Sequence, residues 1–285
     1  MSALPPRSIA LDGYVQGPCI DADGERYSFD HHAGCVRHST RATSEQVCDA
    51  LILGLDPAGL TVFVNDVDLD TALSVWLLAN PHRAIDQVVQ DLVWAAGLLD
   101  THSGAYPIRD GMRRVVEWLS EPETRARADG TYWSLDDHGL QQLLGDVSRR
   151  IDVYTHGEAR SSVASFELDE RYEIERQGTG WVLARTVGIR CHAALFRDGH
   201  LRVVMYRRLP DGTWGYTLAK RSEFVKCFPV SKILAALAER EAGWGGGSTI
   251  GGAPRNADGS RSRLAPDEVF AIVERVVTES LSNAR

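Results

Sequence analysis

An α/β fold on a mostly parallel, helix-covered sheet, followed by a smaller α+β domain, is the class this sequence predicts. Three observations predict it. Through the first half, strand-like apolar runs alternate with segments of helical period, the pattern of a parallel sheet covered on both faces. In the second half, strand-like runs follow one another with Asp-Gly turns between them, and such turns signal hairpins. The length of 285 residues also suits two domains better than one.

The elements follow in order. Ser8–Leu11 is a short apolar run ending at Asp12, and Arg26–Phe29 is strand-like and ends at Asp30-His31-His32. Thr43–Leu55 has helical apolar spacing and opens with Thr-x-x-Gln, a capping box. Leu60–Asp66 is rich in β-branched and aromatic residues and reads as a buried strand. It runs into a helix that Asn80-Pro81 stops. Ala84–Leu99, Asp110–Leu119 and Gly139–Val153 read as further helices. Around Tyr154–Phe166 the chain turns polar and loses its period, which sets a first domain at 1–155, a linker at 156–170 and a second domain at 171–285. Between Trp181 and Arg221 lie three or four strand-like runs, separated by Arg197-Asp198-Gly199 and Pro210-Asp211-Gly212. A helix at Ser231–Arg240, a glycine-rich segment and an amphipathic helix at Ala265–Leu281 complete the pattern.

Composition excludes several classes. Against 39 acidic side chains stand 31 basic ones, a net charge of −8. That is a poor match for long duplex nucleic acid, whose binding draws on basic residues, and favours a small substrate. No stretch approaches the ~20 apolar residues of a membrane span, so no membrane partner is expected. The N-terminus lacks a charged leader followed by an apolar core, so no secretory signal is expected either. Five cysteines, an odd number without a Cys-x-x-Cys pair, argue against a disulfide framework and suit a reducing cytoplasm.

Open parallel sheets bind ligands outside the carboxyl ends of their strands. Here those ends carry Asp12, Asp30-His31-His32 and Asp66-Val67-Asp68-Leu69-Asp70, and the apolar run that Asp100 closes before Thr101 counts as a fourth strand end presenting an acid. Clustered Asp oxygens with His nitrogen suit Mn²⁺ or Mg²⁺, and two such ions can share a carboxylate. The Asp-x-Asp-x-Asp run equally suits an N-cap for the helix that follows. Capping alone explains the whole set poorly.

The run Phe29-Asp30-His31-His32 resembles the signature of the DHH phosphoesterase superfamily, which includes RecJ-like exonucleases, small-oligonucleotide and cyclic-dinucleotide phosphodiesterases and manganese pyrophosphatases. Asp12, nineteen residues before His31, is similar to the strand-end acid that family members place there. Asp66–Ala72 is similar to the family's first Asp-x-Asp motif, and Leu99-Asp100-Thr101 resembles its late Asp-Thr motif. In the second half, Lys220-Arg221-Ser222, the Ser231–Arg240 helix and Gly245–Ala253 resemble the DHH-associated substrate domain. The resemblance spans nearly the whole chain with two departures. The Asp-x-Asp motif follows the signature instead of preceding it, as in a circular permutation. Val62-Phe63-Val64-Asn65 stands where the family has a His, and Ser248 or Thr249 replaces the substrate-loop His. Asp66 could substitute for the first His with Asp68 and Asp70 as the pair, or Asp66 and Asp68 could be the pair; the spacing to Thr71-Ala72 favours the second.

The resemblance implies a metal-dependent phosphoesterase with two ions, Mn²⁺ or Mg²⁺. Asp12 would bridge them, with Asp66, Asp68 and Asp70 on one side and His31 and Asp100 on the other. His32 would donate to a phosphate oxygen and assist as general acid, and Asp30 would orient His31. Arg221, Ser222, Gly246, Gly247, Ser248, Thr249 and Arg255 would hold the anionic substrate. That substrate would be a short single-stranded oligonucleotide, a cyclic dinucleotide or a nucleotide-derived metabolite; a homodimer stays open. Two other functions also stay open: a different metal-dependent hydrolysis on the same scaffold, and a non-catalytic nucleotide-binding regulatory protein.

Overall fold

Ser8–Leu11 forms strand β1, and all four of its residues are buried. In the computed structural model, which describes residues 4–32, 34–36, 38–102, 106–256 and 258–282, β1 lies inside a four-stranded sheet. The other strands are β2 (Cys19–Asp21), β3 (Arg26–Phe29) and β4 (Thr61–Phe63), in the order β2-β3-β1-β4. β1 pairs in parallel with both β3 and β4, while β2 runs antiparallel to β3 along one edge. The molecule is thus mixed α/β with a parallel-strand sheet. The described chain divides into two compact units, one reaching Leu168 and the other beginning at Asp169.

Among the described residues, the first unit has the α-helices α1 (Thr43–Ile52), α2 (Leu69–Ala79), α3 (Gln87–His102), α4 (Asp110–Leu119), α5 (Glu121–Asp129), α6 (Asp137–Thr155) and α7 (Arg160–Ser165). Ile9 and Leu11 of β1 share one core with Val47 of α1, Leu73 of α2, Leu92 of α3 and Ile151 of α6. α1 is capped one residue earlier than its capping box predicts. Ala42 is the cap, and Glu45, not Gln46, reaches back to accept its backbone N–H at 3.0 Å. β4 is shorter and more exposed than a buried strand, because it closes the sheet's edge and pairs only with β1. The stretch predicted as linker holds α7, where Val163 packs on the core and Ala164 O accepts from Arg114 at 2.9 Å.

The second unit is a six-stranded sheet of β5 (Tyr172–Gly178), β6 (Trp181–Thr186), β7 (Arg202–Arg208), β8 (Trp214–Lys220), β9 (Gly245–Gly246) and β10 (Ile250–Gly252), ordered β5-β6-β7-β8-β10-β9. Two helices, α9 (Val230–Ala238) and α10 (Pro266–Ser282), follow β8 and β10. They pack Ile233, Leu237, Val269 and Val273 against Leu183, Val204 and Leu218 of the sheet. The run Cys191–Arg197, grouped among the strand-like segments of the sequence, is helix α8 instead. It connects β6 to β7, which pair in parallel, so Asp198-Gly199 is a helix exit and not a hairpin. Pro210-Asp211-Gly212 does join an antiparallel pair, β7 and β8. No described helix is long and apolar enough to cross a membrane.

The glycine run of β9–β10 has its own packing reasons. A Cβ on Gly252 would stand 2.6 Å from the Tyr216 carbonyl oxygen, and one on Gly246 would lie 2.3 Å from Gly251 Cα. At Gly247 the nearest atom is 3.8 Å away, ordinary contact. Gly252→Ala is therefore expected to destabilise the protein by about 1–3 kcal/mol, the usual cost of overpacking. Gly247→Ala should stay within ~0.5 kcal/mol, as open surface changes do. Chemical denaturation of the two variants measures the difference, and equal losses would refute the packing explanation.

Candidate metal centre

The β1–β3 register decides where the site forms. Leu11 pairs with Phe29, so the strands end side by side, and the Asp12 N–H donates to the Phe29 carbonyl at 2.9 Å. Asp12 and the Asp30-His31-His32 run therefore leave the sheet together. Asp12 has a φ of +53°, a left-handed conformation uncommon outside glycine but tolerated by Asp and Asn. Its carboxylate accepts from Thr43 Oγ1 at 3.0 Å and from Thr71 Oγ1 at 3.2 Å, bracing it between the first turns of α1 and α2.

Around His31 Nε2 three carboxylates converge: Asp100 Oδ2 at 2.8 Å, Asp12 Oδ1 at 3.4 Å and Asp70 Oδ2 at 3.8 Å. The His31 side chain is fully buried. Neither of its ring nitrogens, nor Asp100 Oδ2, makes a hydrogen bond of acceptable geometry. Buried polar atoms rarely stay unsatisfied, and a cation held between His31 Nε2 and the carboxylates around it would satisfy His31 Nε2 and Asp100 Oδ2. Ligand atoms of Asp12, His31 and His32 form one candidate group, and those of His31, Asp70 and Asp100 another, each within 4.8 Å. Imidazole and carboxylate donors suit a divalent ion, and these buried groups could hold one.

Electrostatics point the same way. Burial, then the neighbouring Asp100 and Asp12 carboxylates, push Asp70 up to about 7. Burial and the charges of Asp12, Asp100 and Asp70 likewise hold Asp68 well above the carboxylate range. Burial would lower His31, but its contacts with Asp100 and Asp12 outweigh that and raise it to about 10. Burial pushes Asp12 up, and the nearby His31, His32 and Thr43 pull it lower still. Carboxylates crowded this way each disfavour the others' charge, and a bound cation reverses that balance.

Each residue singled out from the sequence has a definite place. Asp70 is anchored by the N-terminus of α1: Thr43 N donates to Oδ2 at 2.7 Å, while Ser44 donates to Oδ1 through its N–H at 3.0 Å and through its hydroxyl. Asp68 is the N-cap of α2, accepting from Thr71 N at 2.8 Å, and so fills the capping role while sitting within the field of the other acids. Asp66 stands outside both ligand groups. Arg127 donates to it at 2.6 Å, Tyr132 OH also donates, and the Arg127 guanidinium lies 3.9 Å from the Tyr132 ring centroid. Asp100 belongs to the last turn of α3, not to a strand end.

Asp30, expected to orient His31, holds His32 instead. Its Oδ1 accepts the His32 backbone N–H at 2.9 Å and faces His32 Nδ1 at 3.0 Å, while Oδ2 accepts from Gly17 N at 2.7 Å. Nδ1–H then points at Asp30, which leaves His32 Nε2 as the working nitrogen. With 42% of its side chain exposed against 0% for His31, His32 faces outward while its neighbour is sealed.

The substrate residues predicted for the second unit have contacts of their own within the chain. Ser248 Oγ donates to Glu223, Thr249 O accepts from Lys220 N at 2.8 Å, and Gly247 N donates to Ile250 O at 2.7 Å. Gly246 belongs to the β9–β10 hairpin. Arg221 N donates to Leu201 O at 2.9 Å and Ser222 O accepts from Val225 N at 3.1 Å, so both are fixed through the backbone. Arg255 is exposed. Sequence reading missed Thr43, Ser44 and Thr71, which brace the acids, and Arg127 with Tyr132, which draw Asp66 away. Local signal exists only for Thr71, three residues after a capping Asp. No protein-family model matches the chain, and no curated protein matches its sequence.

Proposed function

We propose that the protein is a metal-dependent phosphoesterase acting on a small anionic phosphate substrate, such as a short oligonucleotide, a cyclic dinucleotide or a nucleotide-derived metabolite. The observation that carries this reading is the convergence of Asp12, Asp70 and Asp100 on a buried His31 whose ring nitrogens lack hydrogen bonds. Asp12, His31, Asp70 and Asp100 would hold Mn²⁺ or Mg²⁺, with Asp68 within the field of these acids. Bound ions of this kind supply a water of lowered pKa and charge stabilisation for phosphoryl oxygens. The chain's own residues do the rest. The amides of α1 fix the Asp70 carboxylate, Thr43 and Thr71 fix Asp12, and Asp30 turns His32 so that Nε2 can donate to a phosphate or leaving-group oxygen.

The test is hydrolysis by metal-stripped protein with Mn²⁺ added back, on an aryl phosphodiester, a dinucleotide, a cyclic dinucleotide and pyrophosphate. Metal-dependent turnover of at least one of them is the expected result. Bound metal with no turnover on any would replace this reading with a different metal-dependent hydrolysis. Failure to bind metal would replace it with the nucleotide-binding reading.

A further inference from the structure

We propose that Tyr14, backed by Phe63, is the surface on which the base of a nucleotide substrate stacks when its phosphate sits at the metal centre. The inference rests on the proposed reading of that centre and adds a residue that selects the substrate. The chain leaving β1 turns at once. Tyr14 N donates to Leu11 O at 3.1 Å, closing a four-residue turn whose central residues, Asp12 and Gly13, have φ of +53° and +82°. One turn therefore carries an acid of the centre and presents Tyr14 directly after it. The rest of the loop wraps the Asp30-His31-His32 run. A Cβ on Gly13 would stand 3.6 Å from His32 Nδ1, and Gly17 N donates to Asp30 Oδ2 at 2.7 Å. Tyr14 lies between these two anchors, so its backbone is fixed beside the histidine that faces outward.

Phe63 comes to the same place from β4. It is the last residue of that strand and pairs with Ala10, two residues before Asp12. Val62 and Val64 pack on the core, so Phe63 points from the opposite face of the sheet. There its ring meets that of Tyr14, with centroids 5.3 Å apart and planes inclined at 39°. Covering Phe63 uses one side of the Tyr14 ring, yet 43% of the residue stays exposed. An aromatic ring steadied by another, open to solvent and two residues from a candidate ligand, offers a face to a flat partner. Base–aromatic stacking needs only such a face and tolerates any base. In a nucleotide the ribose spaces the base from the phosphate, so the stacking ring belongs beside His32 and not at the ion itself.

The test is calorimetric titration of the full chain, loaded with Mn²⁺, with adenosine 5′-monophosphate and with ribose 5-phosphate, which lacks the base. Wild type is expected to bind the nucleotide about tenfold more tightly or better. Y14L, which keeps an apolar side chain over Phe63, should lose about tenfold in affinity for the nucleotide and little for ribose 5-phosphate. Y14F, which keeps the ring, should match wild type on both, and Y14L should hold as much Mn²⁺ as wild type does. Equal affinity of wild type for the two ligands, equal losses for both in Y14L, loss of Mn²⁺ from Y14L, or no binding of either ligand would overturn the stacking surface. Turnover of pyrophosphate and an aryl phosphodiester judges the phosphoesterase reading separately. Metal-dependent turnover without a preference for the base keeps the enzyme and removes the stacking surface. A preference that depends on Tyr14, without turnover, keeps the surface and removes the enzyme.

Discussion

On the phosphoesterase reading proposed above, replacing Asp12 with asparagine is expected to remove metal uptake and lower turnover by about 10³-fold or more, while the metal-free protein stays folded. The substitution is close to isosteric, and asparagine accepts the left-handed backbone that Asp12 adopts at φ +53°. The hydroxyls of Thr43 and Thr71, which donate to the two Asp12 oxygens, can rotate to accept from an amide. The fold therefore keeps its hydroxyl contacts and loses one negative charge that faces both the acids Asp68 and Asp70 and the imidazoles of His31 and His32. Asp68 and Asp70 are both held high by burial and by the Asp12 charge, so removing that charge relieves them. Catalysis responds the other way, since charge stabilisation by a bound metal contributes several kcal/mol, and ~4 kcal/mol corresponds to 10³ in rate. Mn²⁺ at a hundred times its dissociation constant should stabilise wild type by about 2.7 kcal/mol and leave Asp12→Asn unmoved. Metal content by mass spectrometry and melting curves with and without Mn²⁺ check this. Retention of Mn²⁺ with turnover within tenfold of wild type would remove Asp12 from the centre.

The parts of the site that the sequence reveals are those whose placement follows from one strand end. Asp12 and Asp30-His31-His32 come next to each other because β1 and β3 pair with their last residues in register, and apolar runs ending in acids make those ends visible. Helix α2 is equally legible, with its capping Asp68 and its stop at Asn80-Pro81. Asp66 shows the limit. Its partners Arg127 and Tyr132 lie 61 and 66 residues away, and no spacing rule connects them; only tertiary packing withdraws Asp66 from the acids that follow it. Asp100 is legible through its motif but its surroundings are not, since an apolar run before an acid serves a helix end, as in α3, as well as a strand end. The same ambiguity hides α8, whose seven residues are too few to separate a period of 3.6 from one of 2. Glu121–Asp129 is helical without any apolar stripe, and Tyr172–Gly178 is an edge strand with mostly exposed side chains. Neither offers the periodicity from which elements are read.

His32→Gln should lower kcat by about 10²–10³-fold on substrates with poor leaving groups, leave KM within a few fold, and leave metal content unchanged. Asp30 has both oxygens committed, to Gly17 N and to the backbone and ring of His32, so the imidazole is held by its Nδ1 side and presents Nε2 outward. His31, sealed behind it with ring centroids 4.5 Å apart, keeps the contacts with Asp12, Asp70 and Asp100 that would hold an ion. Glutamine can still donate one hydrogen bond to a phosphate oxygen, but it cannot deliver a proton to a departing alkoxide. General acid catalysis contributes roughly 10²–10⁴-fold, and it matters only where the leaving oxygen needs protonation. An aryl phosphodiester with an activated leaving group should therefore lose no more than about tenfold, while a dinucleotide or alkyl ester loses the full amount. That split separates proton delivery from a merely structural role, which would depress both substrates alike. Equal losses on both, or loss of bound Mn²⁺ together with activity, would assign His32 to the metal shell beside His31 and deny it the acid's role.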